Sequence, residues 1–196
     1  MGSIPCSLAG GIRNEGTFTI TNCVISDNVG TGNVGAMYTK NATVDTSSTK
    51  IINNSTPGMI GAIYNNANAG TSSLTMNDCT ISNNRSKSVG GIDNVALGGG
   101  DFMLTLNRCT ISDNEAGVDG SADGGGLRAY VVGDTVANTG ELNLTNCTFS
   151  GNTARNKGGA IALLDDNADS NLSVNLINCT IVGNTADSND VCWHSY

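Results

Sequence analysis

Aromatic residues are scarce in this chain of 196 residues and make up 4% of it. A core built around large rings is therefore excluded, and small and β-branched side chains must fill the interior. No stretch approaches the roughly 18 apolar residues of a membrane-spanning helix, so direct membrane insertion is not expected. The start, MGSIPCSLAGG, lacks the charged and apolar regions of a signal peptide. If the protein is exported, we expect this sequence to be a mature or excised part of it.

Histidine and basic residues are also scarce. The one histidine is His194, and the seven cysteines include no Cys-x-x-Cys pair, so we expect no metal site and no cofactor. Nine Lys and Arg stand against 17 Asp and Glu, which gives a net charge of −8. Nucleic acids and anionic membrane surfaces are bound by basic patches. The charge balance therefore argues against both as partners.

The chain is rich in glycine, asparagine, threonine and serine, and these residues follow a repeat. A small residue begins the pattern in six segments: Cys23, Thr49, Cys79, Cys109, Cys147 and Cys179. An asparagine closes it five positions later: Asn28, Asn54, Asn84, Asn114, Asn152 and Asn184. A triplet of Gly, Gly or Ala, and an aliphatic residue precedes each segment and begins at Gly10, Gly35, Gly61, Gly90, Gly125 and Gly159.

The spacing inside each repeat predicts short β-strands. Apolar residues occur five and three positions before the cysteine and again two positions after it, which is the alternation of two strands with a bend between them. The glycine triplet supplies a third strand. Three strands in about 30 residues, repeated along the chain, predict an all-β parallel β-helix of six coils.

Two interpretations of the repeated cysteine are open, a reactive thiol site and an inward packing position. Cysteine packs as a small hydrophobe, and Thr49 at the same position shows that a thiol is not required there. We therefore predict a buried column of slowly reacting thiols. The repeated asparagine has a similar structural role, because it tolerates left-handed turns and its amide can bond the amide of the next coil.

Two motifs of the chain resemble those of a known protein family. Gly-Gly-Ala-Ile at 158–161 and Phe-Ser-Gly-Asn at 149–152 look like the paired motifs of polymorphic outer-membrane protein repeats. The wider pattern, over residues 9–193, resembles bacterial right-handed parallel β-helix surface proteins, which are related in architecture to pectate lyases. The resemblance implies a right-handed coil and a secreted or surface-displayed passenger, and thus an extracellular or cell-surface location.

We expect one β-helix domain over residues 1–196, either a short complete solenoid or an excised segment. Neither end shows a long capping segment, and Val191-Cys192-Trp193 stands where a seventh triplet would begin. Repeat proteins need polar caps, and open terminal coils present edge strands. End-to-end self-association is therefore an expected interaction.

The candidate ligand face is an outward row of residues, one after each triplet: Arg13, Tyr38, Tyr64, Asp93, Arg128 and Ala162. Tyr130 is expected nearby. Two adjacent tyrosines flanked by charged residues predict stacking on sugar rings, although tyrosine also favours strand surfaces without any ligand. The chain intervals that follow the triplets vary most in length, and insertions gathered on one side are typical of a binding face.

Other functions use the same fold, because fold does not determine function. A pectate-lyase-like enzyme would need charged groups such as Asp93 beside Arg128, but no catalytic motif accompanies this pair. A second outward row holds mainly threonines, typical of strands and of ice-binding solenoids: Val24, Lys50, Thr80, Thr110, Thr148 and Thr180. A stalk that only supplies length is a further alternative. We favour a non-catalytic, adhesin-like module that binds a glycan or a surface protein.

Overall fold

A computed structural model of the chain shows a stack of parallel β-strands. The structure describes residues 9–117, 122–132, 136–166, 170–187 and 192–194. Within these ranges all regular structure is β-strand, and the strands pair in parallel. No helix long and apolar enough to cross a membrane occurs among the same residues.

Two of the four sheets carry the longer strands, numbered here in chain order. The seven-stranded sheet consists of β1 Ile12–Asn14, β4 Met37–Lys40, β7 Ile63–Asn68, β11 Ile92–Leu97, β15 Leu127–Val131, β19 Ile161–Asp165 and β23 Cys192–His194. The long six-stranded sheet consists of β2 Thr17–Thr21, β5 Thr43–Ser47, β8 Thr71–Asn77, β12 Asp101–Asn107, β16 Thr139–Thr145 and β20 Asn171–Ile177.

The other two sheets are built from strands of two or three residues. The short six-stranded sheet consists of β3 Val24–Ser26, β6 Lys50–Ile52, β9 Thr80–Ser82, β13 Thr110–Ser112, β17 Thr148–Ser150 and β21 Thr180–Val182. The four-stranded sheet consists of β10 Arg85–Ser86, β14 Glu115–Ala116, β18 Thr153–Ala154 and β22 Thr185–Ala186.

The predicted β-solenoid is confirmed, with six rungs joined by five turns in each six-stranded sheet. The three predicted strands per coil occur where the repeat placed them. The four-stranded sheet was not predicted, because two-residue strands are too short to show an alternation. Its inward side chains, such as Ala116 and Ala154, form a small cluster of their own.

The core contains the side chains that the repeat assigned to it. Around Cys109, the residues Leu104, Leu106 and Ile111 have at most 1% of their surface exposed. Cys79 and Cys147 are equally enclosed, and Thr49 fills the same place with no exposure. Cys23 and Cys179 on the outer rungs are more open. The inward packing of the central thiols is therefore confirmed.

Two positions of the repeat adopt a left-handed backbone in every coil and make bends between strands. One directly precedes the cysteine position, as at Asp78 with φ 55° and Arg108 with φ 53°. The other directly precedes the repeated asparagine, as at Asn83 and Asp113. The repeated asparagine itself is not left-handed, so that part of its predicted role is wrong.

The repeated asparagines form a hydrogen-bonded ladder along the axis, as predicted. Each Nδ2 donates to Oδ1 of the next asparagine at 2.8–3.0 Å, from Asn28 to Asn184. Each of these Oδ1 atoms also accepts from the preceding asparagine's backbone N–H. A buried amide needs such partners, and the ladder supplies them in every coil.

Each triplet begins with glycine, at a position where adjacent coils approach closely. A Cβ on Gly35 or Gly61 would lie well inside 3.0 Å of a backbone carbonyl oxygen of the next coil. The second triplet position is less crowded in three coils, where Ala36, Ala62 and Ala160 are fully buried. The close packing of adjacent coils therefore explains why the first position of the motif is glycine.

Gly61→Ala is expected to lower the free energy of unfolding by about 2–3 kcal/mol or more, because the new methyl group overlaps a neighbouring backbone that cannot retreat. Urea unfolding followed by circular dichroism measures the loss. Gly16→Ala is the matched control, since a Cβ there meets nothing within 4 Å. Equal stability of the two variants would contradict the steric explanation.

The growing intervals after the triplets are mainly strand, at least in the central coils. Between β7 and β8 two residues are left outside strands, and between β11 and β12 three. The added residues extend both sheets there, so in these two coils the variation in interval length does not produce longer loops. In the last described strand, β23, Cys192 rather than Trp193 pairs with Ile161, so the register there is one residue earlier than predicted.

Candidate functional site

The predicted row of candidate residues lies on adjacent rungs of the seven-stranded sheet. Tyr38 is in register with Arg13 on one side and Tyr64 on the other. Asp93 follows opposite Tyr64, and Arg128 follows opposite Asp93. Residues in register on parallel strands are about 4.8 Å apart, so these side chains are brought together as predicted.

The two tyrosine rings are covered, and the prediction that they stand open for sugar stacking is wrong for Tyr38. Tyr38 is 6% exposed and Tyr64 is half-buried. Both pack against a second apolar cluster outside the main core, formed by Val34, Ile60 and Val89. The rings lie 5.5 Å apart at an angle of 58°. Their first role is therefore to hold a peripheral core together.

The sequence carries a signal for this peripheral core that the repeat analysis missed. An apolar residue directly precedes the triplet in the early coils, at Val34, Ile60 and Val89. The corresponding positions in the later coils are Gly124 and Gly158. The row thus changes from an apolar end near Tyr38 to a charged end near Arg128.

The charged end contains a buried ion pair between adjacent coils. Arg128 donates from Nε and from an Nη atom to the two carboxylate oxygens of Asp93, each at 2.8 Å. The Asp93 side chain has no exposed surface and that of Arg128 has 14%. Burial alone would lower the pKa of Arg128, but the charge of Asp93 and its hydrogen bonds raise it overall. Arg128 therefore remains a cation.

Tyr130 lies two residues beyond Arg128 on the same side of the sheet. The Arg128 guanidinium carbon is 5.6 Å from the ring centroid, a distance at which a cation attracts the ring face. The Tyr130 hydroxyl donates to Oδ2 of Asp166 at 2.6 Å. Burial, followed by this bond and the charge of Asp166, raises the pKa of Tyr130 to about 12, so the hydroxyl stays protonated.

Arg13 marks the other end of the row and is mostly exposed. Its guanidinium pairs with Glu15 and lies 5.7 Å from the centroid of the Tyr38 ring. Hydrogen bonding and the positive charge of Arg13 lower the pKa of Glu15. Arg13 with Glu15 and Arg128 with Asp93 therefore form ion pairs without net charge at the two ends of the row.

Asn66 is a polar member of this face that the sequence analysis did not select. Its Nδ2 donates to the Tyr64 hydroxyl at 3.2 Å. Its Oδ1 is buried without a hydrogen-bond partner among the described residues. Burial, and then the charge of Asp93, raises the pKa of Tyr64. Asn66 and Tyr64 thus add neutral hydrogen-bonding groups beside the charged pair.

The second outward row also has the predicted register. Thr80, Thr110, Thr148 and Thr180 occupy consecutive rungs of the short six-stranded sheet. Lys50 stands in the rung before Thr80. Two residues further along each strand, Ser82, Ser112 and Ser150 are followed by Val182. The hydroxyl array is therefore regular over only part of the solenoid.

A groove of about 490 Å³ opens at another corner of the coil and was not predicted. Its lining includes Asn53, Asn83, Arg85 and Lys87. Arg85 is paired with Glu115 at 2.9 Å. Among the residues that the structure describes, no group of three or more His, Cys, Asp or Glu is placed to hold a metal ion.

Comparisons with family models, with curated proteins and with solved structures found no match to this chain. The resemblance to polymorphic outer-membrane repeats therefore depends on the short motifs alone. The solenoid architecture is independent of it, since the strand register carries that conclusion.

Proposed function

We propose that the chain is a non-catalytic binding module of an extracellular or cell-surface protein. Its ligand is a glycan, bound on the outward face of the seven-stranded sheet beside Arg128 and Tyr130. The observation that carries the proposal is the in-register row of aromatic and charged side chains on this one face. Tyr38 belongs to the scaffold of the face rather than to its contact surface, because it is buried.

The polar end of the row has the chemistry of a sugar site. Tyr64 and Tyr130 are half-buried rings on either side of the rung that carries Asp93. The Arg128 guanidinium lies 5.6 Å from the centroid of the Tyr130 ring and is held by two hydrogen bonds to Asp93. Rigid rings with a small number of oriented polar groups are typical of ligand sites, and such a face needs little ordering when it binds.

The same geometry favours binding over turnover. A general acid or base must come within hydrogen-bonding distance of the proton that it transfers. Asp93 is fully buried and both of its oxygens are taken by Arg128. Glycoside hydrolysis needs two carboxyl groups across a cleft, and the buried, paired Asp93 is not free to serve as one of them. A lyase-like role for Asp93 and Arg128 is therefore the weaker proposal.

A glycan array with the intact chain and the variant Tyr130→Ala tests the proposal. We expect binding to fall roughly tenfold in the variant, because a ring in the contact surface is worth about 1–2 kcal/mol. Thr110→Ala, on the short six-stranded sheet, is the matched control and should bind like the parent. Circular dichroism verifies that both variants remain folded.

Unchanged binding by Tyr130→Ala would place the site away from this face. Binding of no glycan by any variant would leave a protein ligand or a stalk as the function. Release of oligosaccharide products would contradict the non-catalytic part of the proposal. Ice binding by the threonine row stays a prediction, and thermal hysteresis of the intact chain measures it.

A further inference from the structure

The cysteine column ends in two thiols with different access to solvent. Cys147 is 1% exposed, whereas Cys179 on the last rung of its sheet is only partly buried. The backbone N–H of Thr180 donates to the Cys147 carbonyl at 2.8 Å, which places the two cysteines on adjacent rungs. Adjacent rungs are about 4.8 Å apart, and this lies within the Cα separation of disulfides.

The thiols lean along the axis in one direction. The Cys179 Sγ donates to the Leu144 carbonyl at 3.3 Å, on the rung of Cys147. The Cys147 Sγ leans one rung further, toward the Leu106 carbonyl at 3.4 Å. Closing a bond between them therefore requires Cys147 to change its rotamer, while Cys179 already leans toward its partner.

The neighbouring Cys109 thiol also affects the pKa of Cys147. Hydrogen bonding from Cys109 lowers the pKa of Cys147 overall, although burial alone would raise it. The thiolate is the form that attacks a disulfide. Cys179 is therefore the thiol that an external disulfide can reach, and Cys147 lies on the adjacent rung as its resolving cysteine.

We propose that Cys179 and Cys147 are a dithiol site for small-molecule disulfides and close into a disulfide between adjacent coils. The Cys179 thiolate attacks one sulfur of oxidised glutathione and releases the first glutathione thiolate. The Cys147 thiolate then attacks the Cys179 sulfur and releases the second. Two electrons pass from the cysteines to glutathione, and the two thiol protons go to the released glutathione molecules.

The product fastens the last coil to the coil before it. The last rung leaves Leu176 and Ile177 about half exposed, so its strands are held from one side in the described part of the chain. A cross-link that closes a loop of about 30 residues limits the unfolded chain there. Among the described residues Cys23 has no such partner, because Thr49 occupies the adjacent rung.

The test is to treat the folded chain with oxidised glutathione near pH 7.5, block the remaining thiols, and digest with trypsin. Cleavage after Arg128, Arg155 and Lys157 puts Cys147 in peptide 129–155 and Cys179 in peptide 158–196. We expect these two peptides to be joined in a bond that a reductant breaks. The oxidised chain should also unfold about 5–10 °C higher than the reduced one.

Two variants locate the bond, since peptide 158–196 also contains Cys192. Cys192→Ser should retain the joined peptides, and Cys179→Ser should lose them. Cys179→Ser is a mild change, since Thr49 shows that the column accepts a hydroxyl. Three results would overturn the proposal: loss of the link in Cys192→Ser, a stable glutathione adduct on Cys179 with no link, or modification of Cys23 while Cys179 stays free.

Discussion

Replacing Arg128 by leucine is expected to lower the free energy of unfolding by about 3–5 kcal/mol. Asp93 has no exposed surface, and Arg128 supplies hydrogen bonds to both of its carboxylate oxygens. Leucine fills a similar space but leaves a buried carboxylate without a counter-charge or a donor. Urea unfolding followed by circular dichroism measures the change.

Arg108→Leu is a matched control within the same molecule. Arg108 also reaches to the adjacent coil and holds an aspartate, Asp78, by two hydrogen bonds of 2.7 and 2.8 Å. These side chains are 57% and 50% exposed, so water solvates Asp78 when its partner is lost. The expected loss is therefore only about 0–1 kcal/mol. Equal losses in the two variants would show that burial does not decide the effect.

The double variant Asp93→Leu, Arg128→Leu tests whether the stability lost in Arg128→Leu comes from the unpaired, buried Asp93 or from the loss of the ion pair itself. Removing both charges leaves no buried ion, so we expect much of the stability lost in Arg128→Leu to return. A double variant that is less stable than Arg128→Leu would mean that the pair contributes net stability. In that case the ion pair, rather than the unpaired Asp93, would explain the single-variant result.

The architecture could be predicted from the sequence because a solenoid repeats its constraints. Each coil must place a small residue at the position of Cys109 and an amide at that of Asn114, so one alignment of the chain with itself identifies both columns. The structure confirms the inward side chains around them. The two-residue strands escaped prediction because periodicity needs more than one repeat of the alternation.

The candidate site was predicted in position but not in exposure. Register alone places Tyr38 beside Tyr64, and the structure has them there. Strand register does not show which residues pack on the outside of the sheet. The side chains that bury Tyr38 include Val34 and Ile60, which belong to a different part of the coil. The partner of Arg128 could be identified from the row, but its complete burial depends on packing beyond the strand pattern. Surface chemistry is therefore less predictable here than the core.

Replacing Asn114 by alanine is expected to lower the free energy of unfolding by about 3 kcal/mol or more. Its Oδ1 accepts from the backbone N–H of Asn84 at 3.1 Å and from the Asn84 amide at 2.9 Å. Its Nδ2 donates to the Asn152 amide at 2.9 Å and to the Ile81 carbonyl at 3.0 Å. Asn84, Asn114 and Asn152 have no surface exposed to solvent. Each buried polar group that loses its partner costs about 1–3 kcal/mol.

Hydrogen exchange gives this prediction a local readout. The Asn84 amide proton should lose protection in Asn114→Ala, because its acceptor is the side chain removed, whereas backbone amides several coils away should change little. Asn28→Ala is the matched control: Asn28 starts the described ladder, is half-buried and bonds to Asn54 on one side. Its loss should be about 1 kcal/mol. Retained protection at Asn84, or equal losses at Asn28 and Asn114, would mean that the backbone strands hold the stack and that the ladder only accompanies them.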